Sequence, residues 1–140
     1  MRVVLDTDVV VAAMRSPSGA SAAIVRAVYR KKAVLLLSVP LALEYEAVCR
    51  RPVHRLEAGL SVRDIEKFLD AIVALAEAVP THFLWRPQLR DPNDEMVLEA
   101  AVNGGADILV TFNVRDYGTA AGRFGVEVLL PRNAIARMKP

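Results

Sequence analysis

The 140 residues carry a formal charge of +2 and a pI of about 8.9, and 54% of them are hydrophobic. That length and apolar content fit one domain, residues 1–140, with a core of its own, and the mild basicity admits a nucleic acid partner without the charge of a histone-like binder. No apolar run approaches the ~18 residues of a membrane span. The N-terminus lacks the order of a signal peptide and the single cysteine, Cys49, excludes an internal disulfide, so a cytoplasmic protein with no membrane segment is expected.

The chain opens on an apolar run, Val3 to Leu5, that stops at Asp6, with Asp8 two residues on and a short apolar helix expected over Val9 to Met14. A helical pattern over 20–31 leads to a second run, Val34 to Leu37. Helical patterns follow over 40–51 and 61–78. The latter opens on Ser61 and Asp64, and Ile65, Phe68, Leu69, Ile72 and Ala76 share one face. Asp91-Pro92-Asn93-Asp94 starts another helix over 93–103, with Asp91 as cap and Pro92 in the first position. The last two runs are Ile108 to Val110 and Val126 to Leu130. All four runs are nearly continuous rather than alternating, as in strands covered on both faces. Strands alternating with helices predict an α/β fold with a mainly parallel sheet of four or five strands flanked by helices.

In open parallel sheets, ligands gather beyond the carboxyl ends of the strands, and acids recur there. Asp6 and Asp8 follow the first run. The second is followed by Ser38 and a helix in which Leu41, Glu44, Tyr45 and Val48 share a face, setting Glu44 in an apolar stripe, while Glu46 falls on the wet side. The third is followed by Thr111, Asn113 and Asp116. Asp94 shares a face with Val97, Leu98 and Ala101. Each has an ordinary reading: Asp6 or Asp8 as a helix cap, Asp94 as part of a capping box, Asp116 as a loop residue. On an extended chain Asp6 and Asp8 would share a face. Asp107 precedes its strand and is expected at the far end. His54 and His82 show no metal-binding spacing, Cys49 reads as core, Trp85 stands alone, and Arg26, Arg30, Lys31 and Lys32 form either a phosphate-binding face or a wet surface.

If Asp6, Glu44, Asp94 and Asp116 meet, their like charges raise one another's pKa unless a cation intervenes. An all-oxygen set without His or Cys suits Mg²⁺ or Mn²⁺, and such ions serve in-line phosphoryl displacement. Metal-dependent phosphodiester hydrolysis is the chemistry this favours.

These residues resemble the PIN-domain family, compact metal-dependent ribonucleases that include toxins of toxin–antitoxin pairs. VVLDTDVVVAAM is similar to the family's opening strand, Asp-Thr-Asn and small apolar helix; SVPLALEYEAVCRRP to the helix with its glutamate; DPNDEMVLEAA to the segment with the third acid; ILVTFNVRDY to its closing motif. RSPSGAS resembles a branch often described as toxins. Asp8 departs from the pattern, standing where the family usually has Asn. The resemblance implies a PIN-like three-layer fold in which Asp6, Asp94 and Asp116 hold the metal. Glu44 would hold a second ion or orient the attacking water, and Thr111 and Asn113 would fix the carboxylates or the scissile phosphate. It also implies RNA as substrate, a homodimer, and an antitoxin protein if the chain is a toxin.

Three rivals remain. Asp6-Thr7-Asp8-Val9-Val10 also fits the signature of haloacid-dehalogenase-like phosphatases, with Asp6 as nucleophile, although no lysine follows Thr111 before Lys139. A phosphorylation-dependent receiver would need an acceptor Asp at the end of a middle strand, where this chain has Ser38-Val39-Pro40. The third is a non-catalytic RNA-binding PIN domain.

Overall fold

The computed structural model describes residues 1–81, 89 and 91–138; His82 and Trp85 lie outside the described residues. Five parallel strands form one sheet in the order β3-β2-β1-β4-β5: β1 (Arg2–Leu5), β2 (Val34–Leu37), β3 (Glu77–Ala78), β4 (Ile108–Val110) and β5 (Glu127–Leu129). Val3 is paired with Leu35 on one side and Ile108 on the other, and Leu5 with Val110. The three central strands are almost wholly buried, which accounts for their unbroken apolar sequence.

The helices flanking the sheet are α1 (Thr7–Arg15), α2 (Ala20–Tyr29), α3 (Val39–Cys49), α4 (Pro52–Ala58), α5 (Val62–Leu75), α6 (Pro92–Gly104), α7 (Val114–Tyr117), α8 (Ala120–Arg123) and α9 (Pro131–Met138). Ser61 and Asp64 close a reciprocal capping box at the start of α5, and Ile65, Leu69 and Ile72 bury its apolar face. Ser38 accepts from the Leu41 amide at the start of α3. Asp91 accepts from the Asn93 amide, the capping role expected of it. The end of α6 lies so close to the sheet that a Cβ on Gly104 would stand 2.8 Å from Val79 and 2.9 Å from Leu36. Gly105, at φ +64°, then ends the helix in the left-handed region.

Several boundaries differ from the expectations. The helix expected over 61–78 stops at Leu75, and Glu77 and Ala78 pair with β2 as a short exposed edge strand. The helix expected over 40–51 ends at Cys49. A separate α4 begins at Pro52, whose fixed φ suits a first helical position. α4 buries none of its residues, so it carries no apolar period. α9, packed against α2, was not expected.

The topology fixes where a ligand belongs. From β1 the chain proceeds outward to β2 and β3, then returns to the other side of β1 as β4 and continues to β5. The strand order therefore reverses between β1 and β4, and in such sheets the crevice beyond the carboxyl ends at that point is the binding position. The ladder reaches into it: the Asp6 amide donates to the Val110 carbonyl at 2.8 Å and the Thr111 amide to the Leu129 carbonyl at 3.0 Å. Asp107 stands at the opposite end, accepting from the Arg2 amide at 2.9 Å, as expected of a structural residue. Arg30, Lys31 and Lys32 form the turn between α2 and β2, also at the amino ends of the strands, so the basic run lies away from the acids.

Candidate active site

Asp6 is the last extended residue after β1 and the N-cap of α1, and its Oδ1 accepts from the Thr7 amide at 2.7 Å. The capping reading is thus correct, and it is only part of the arrangement. Asp6 Oδ2 accepts from the Thr111 hydroxyl at 2.7 Å and from the Tyr117 hydroxyl at 3.0 Å. With 7% of its surface exposed, Asp6 is buried. Burial pushes its pKa up; the Thr111, Tyr117 and Thr7 bonds oppose this, and the nearby charge of Asp116 adds to it.

Asp8 approaches the same place by a different geometry from the one expected. Residues 7 and 8 are helical rather than extended, and Asp8 sits in the first turn of α1. Its Oδ2 accepts from the Phe112 amide at 3.3 Å and from the Asn113 side-chain amide at 3.0 Å. Its Oδ1 is buried with no hydrogen bond among the described residues. Burial, then the charge of Asp6 and more weakly that of Asp94, raise Asp8 to about 7. Thr111 ties the loop together, because its hydroxyl also accepts from the Asn113 amide at 3.0 Å. Thr111 and Asn113 therefore position Asp6 and Asp8 respectively.

Asp94 is half-buried in the first turn of α6. Burial and the charges of Asp6, Asp91 and Asp116 raise it to about 6, opposed by the Tyr117 hydroxyl. Asp116 is exposed on α7. Glu44 is half-buried on α3 and makes no hydrogen bond or ion pair among the described residues, and its charge is not among those acting on Asp6, Asp8 or Asp94. Its neighbour Tyr45 is fully buried and donates its hydroxyl to the Leu5 carbonyl, which fastens α3 beside the end of β1. Glu46 pairs with Arg50 at 2.8 Å. Cys49 is buried in the core, its thiol pushed up to about 11 by burial.

A family model described as PIN domain matches residues 2–115, most of the chain. The chain belongs to the PIN-domain family. PIN domains are generally nucleases that act on nucleic acids and typically use divalent metals. No curated protein and no solved structure matches the chain. The match ends at Arg115, so Asp116, Tyr117, β5 and α9 of this PIN domain lie beyond it.

Tyr117 is the residue that reading the sequence passed over. It is fully buried, bonds Asp6 and faces Asp94, and burial together with those two charges raises its pKa, so it acts as a donor to carboxylates. Its only signal is an aromatic directly after Asp116. Next to it, a cleft of about 690 Å³ is lined by Asp91, Asp94, Asp116 and Tyr117, with Arg115 and Arg123 among its walls.

In chemical type the donor set suits a hard divalent ion: like charges of Asp6, Asp8 and Asp94 close together, a buried acceptor oxygen on Asp8 with no hydrogen bond among the described residues, and oxygen donors throughout. As the side chains stand, no three His, Cys, Asp or Glu residues among the described ones are close enough together to hold a metal ion. No helix among the described residues is long and apolar enough to cross a membrane.

Proposed function

We propose that this PIN domain is a Mg²⁺- or Mn²⁺-dependent endoribonuclease, cutting single-stranded or structured RNA in the cytoplasm as the toxin of a toxin–antitoxin pair. The observation that carries the reading is the gathering of Asp6, Asp8, Asp94 and Asp116 at the β1–β4 reversal of the sheet, where the charge of Asp6 acts on Asp8 and Asp94 and that of Asp116 on Asp6 and Asp94, beside a cleft walled by Arg115 and Arg123.

Asp6, Asp94 and Asp116 would hold the ion, with Thr111 and Tyr117 fixing Asp6. When bound, a divalent ion eases formation of the attacking hydroxide and offsets charge building on the phosphate oxygens. Glu44, on the helix that Tyr45 fastens to the end of β1, is assigned to orienting the attacking water or holding a second ion. Arg115 and Arg123 would grip backbone phosphates. The water oxygen bonds to phosphorus, the bond to the leaving ribose oxygen breaks, and that oxygen takes up a proton. A homodimer is supported by Val39, Leu43 and Val73, which are exposed along the groove between α3 and α5. An antitoxin protein is the partner the toxin reading requires.

The phosphatase alternative uses Asp6 as its nucleophile. The fold it implies also wants a lysine after a later strand, and none follows Thr111 before Lys139, which argues against that role.

The test is cleavage of end-labelled single-stranded RNA by purified protein with Mn²⁺ or Mg²⁺ and with EDTA. Cutting that needs the ion and vanishes in Asp6→Asn and Asp94→Asn is expected. Hydrolysis of a small phosphate ester without RNA cleavage would replace this reading with the phosphatase one. RNA binding without cleavage would leave a non-catalytic PIN domain.

A further inference from the structure

We infer that Asp8 is an additional ligand of the divalent ion, presenting its Oδ1 to the metal while its Oδ2 is held by the loop after β4. The inference rests on the metal-dependent reading above and goes beyond its three-aspartate set. Two oxygens of one carboxylate have been given opposite surroundings. Oδ2 accepts from the Phe112 amide and the Asn113 side chain, which sets the plane of the group. Oδ1 is removed from water and receives no hydrogen bond among the described residues.

Capping and loop anchoring account for Oδ2 and leave Oδ1 unexplained. A buried carboxylate oxygen is ordinarily satisfied by a donor. The charged neighbours acting on Asp8 are Asp6 and Asp94, both of its own sign, and no ion pair with a basic side chain offsets it among the described residues. An asparagine in the same place would keep an oxygen toward Phe112 and Asn113 and put an N–H₂ donor where Oδ1 stands. The aspartate presents an acceptor instead. A buried ionised acceptor under the charge of two other carboxylates is stable when a cation offsets them.

Mn²⁺ binding to the full chain, followed by calorimetric titration, tests this without reference to RNA. Asp8→Asn keeps the shape and should raise the Mn²⁺ Kd at least ~10-fold, because ligand charge sets the affinity of such sites. In EDTA at pH 8 the same variant should melt above the wild type, since it removes a buried charge of the wrong sign; that melt also verifies folding. Asp8→Ala, which loses the Asn113 bond as well, should show the same weakening of Mn²⁺ binding. An Asp8→Asn Kd within twofold of wild type, with binding lost in Asp6→Asn, would overturn the inference and leave the metal-dependent reading intact. A wild type that binds no Mn²⁺ would overturn both.

Discussion

Asp6 and Asp116 carry the same group and follow neighbouring strands, yet their surroundings are opposite. Asp6 is buried, with Thr7, Thr111 and Tyr117 donating to its two oxygens. Asp116 lies on a four-residue helix with its side chain in water. One is fixed as the fold forms; the other keeps the freedom to meet what arrives in the cleft. The pair separates two demands on such a site, a rigid reference point and an adaptable partner, and assigns them to different strand ends.

The sharpest way to probe this contrast is to neutralise both. Asp6→Asn is expected to lower RNA cleavage roughly 10²-fold or more, since removing a metal ligand costs several kcal/mol of transition-state stabilisation. It should also lower the melting temperature, because Asn places an N–H₂ where only donors point. Thr111→Val keeps the volume and removes the hydroxyl that serves both Asp6 and the Asn113 amide. A loss of about 1–3 kcal/mol in denaturant unfolding is expected, the cost of taking one of two donors from the buried Asp6 Oδ2 and the acceptor from the Asn113 amide. An unchanged midpoint would mean that Tyr117 alone holds Asp6.

The pH response sharpens the comparison further. Asp8 and Asp94 are raised in the folded protein to about 7 and about 6, above the 3.8 of the unfolded chain. The folded state therefore binds more protons than the unfolded one between these values. Stability should fall as pH rises from 5 to 8 in EDTA, and added Mn²⁺ should flatten the trend, both read by thermal melts. A rise over that range would count against the burial of Asp8. The smallest effect on stability belongs to Asp116→Asn: unfolding should stay within about 0.5 kcal/mol of wild type, as for an exposed substitution, while cleavage is lost.

How legible this was in the sequence follows the same division between buried and wet. Val3 to Leu5, Val34 to Leu37 and Ile108 to Val110 were visible as strands because burial on both faces leaves no room for polar residues. β3 shows two exposed residues, and α4 buries nothing, so neither left a periodic trace. α9 did leave one, in Ala134 and Met138 one turn apart, but eight residues are a short window. Asp6 and Asp94 were placed by strand ends and helix faces, and Thr111 and Asn113 by their loop. The function of Tyr117 depends on a hydroxyl reaching across 111 residues to Asp6, and spacing alone carries no record of such a contact. Glu44 was set correctly in an apolar stripe, but the stripe says only that it is half-buried.

The strand order has a consequence for the order of synthesis. β1 precedes the other four described strands in chain order and lies in the middle of the sheet, between β2 and β4. When translation has passed α5, β1 can be paired on one side only, and the residues that lock Asp6, Thr111 and Tyr117, are still to come. No fragment that stops before β4 can assemble the pocket. Closing it requires contacts more than a hundred residues apart in the chain, which form late in folding. For a nuclease, the chain up to α5 thereby carries no assembled pocket, and activity waits on β4 and α7.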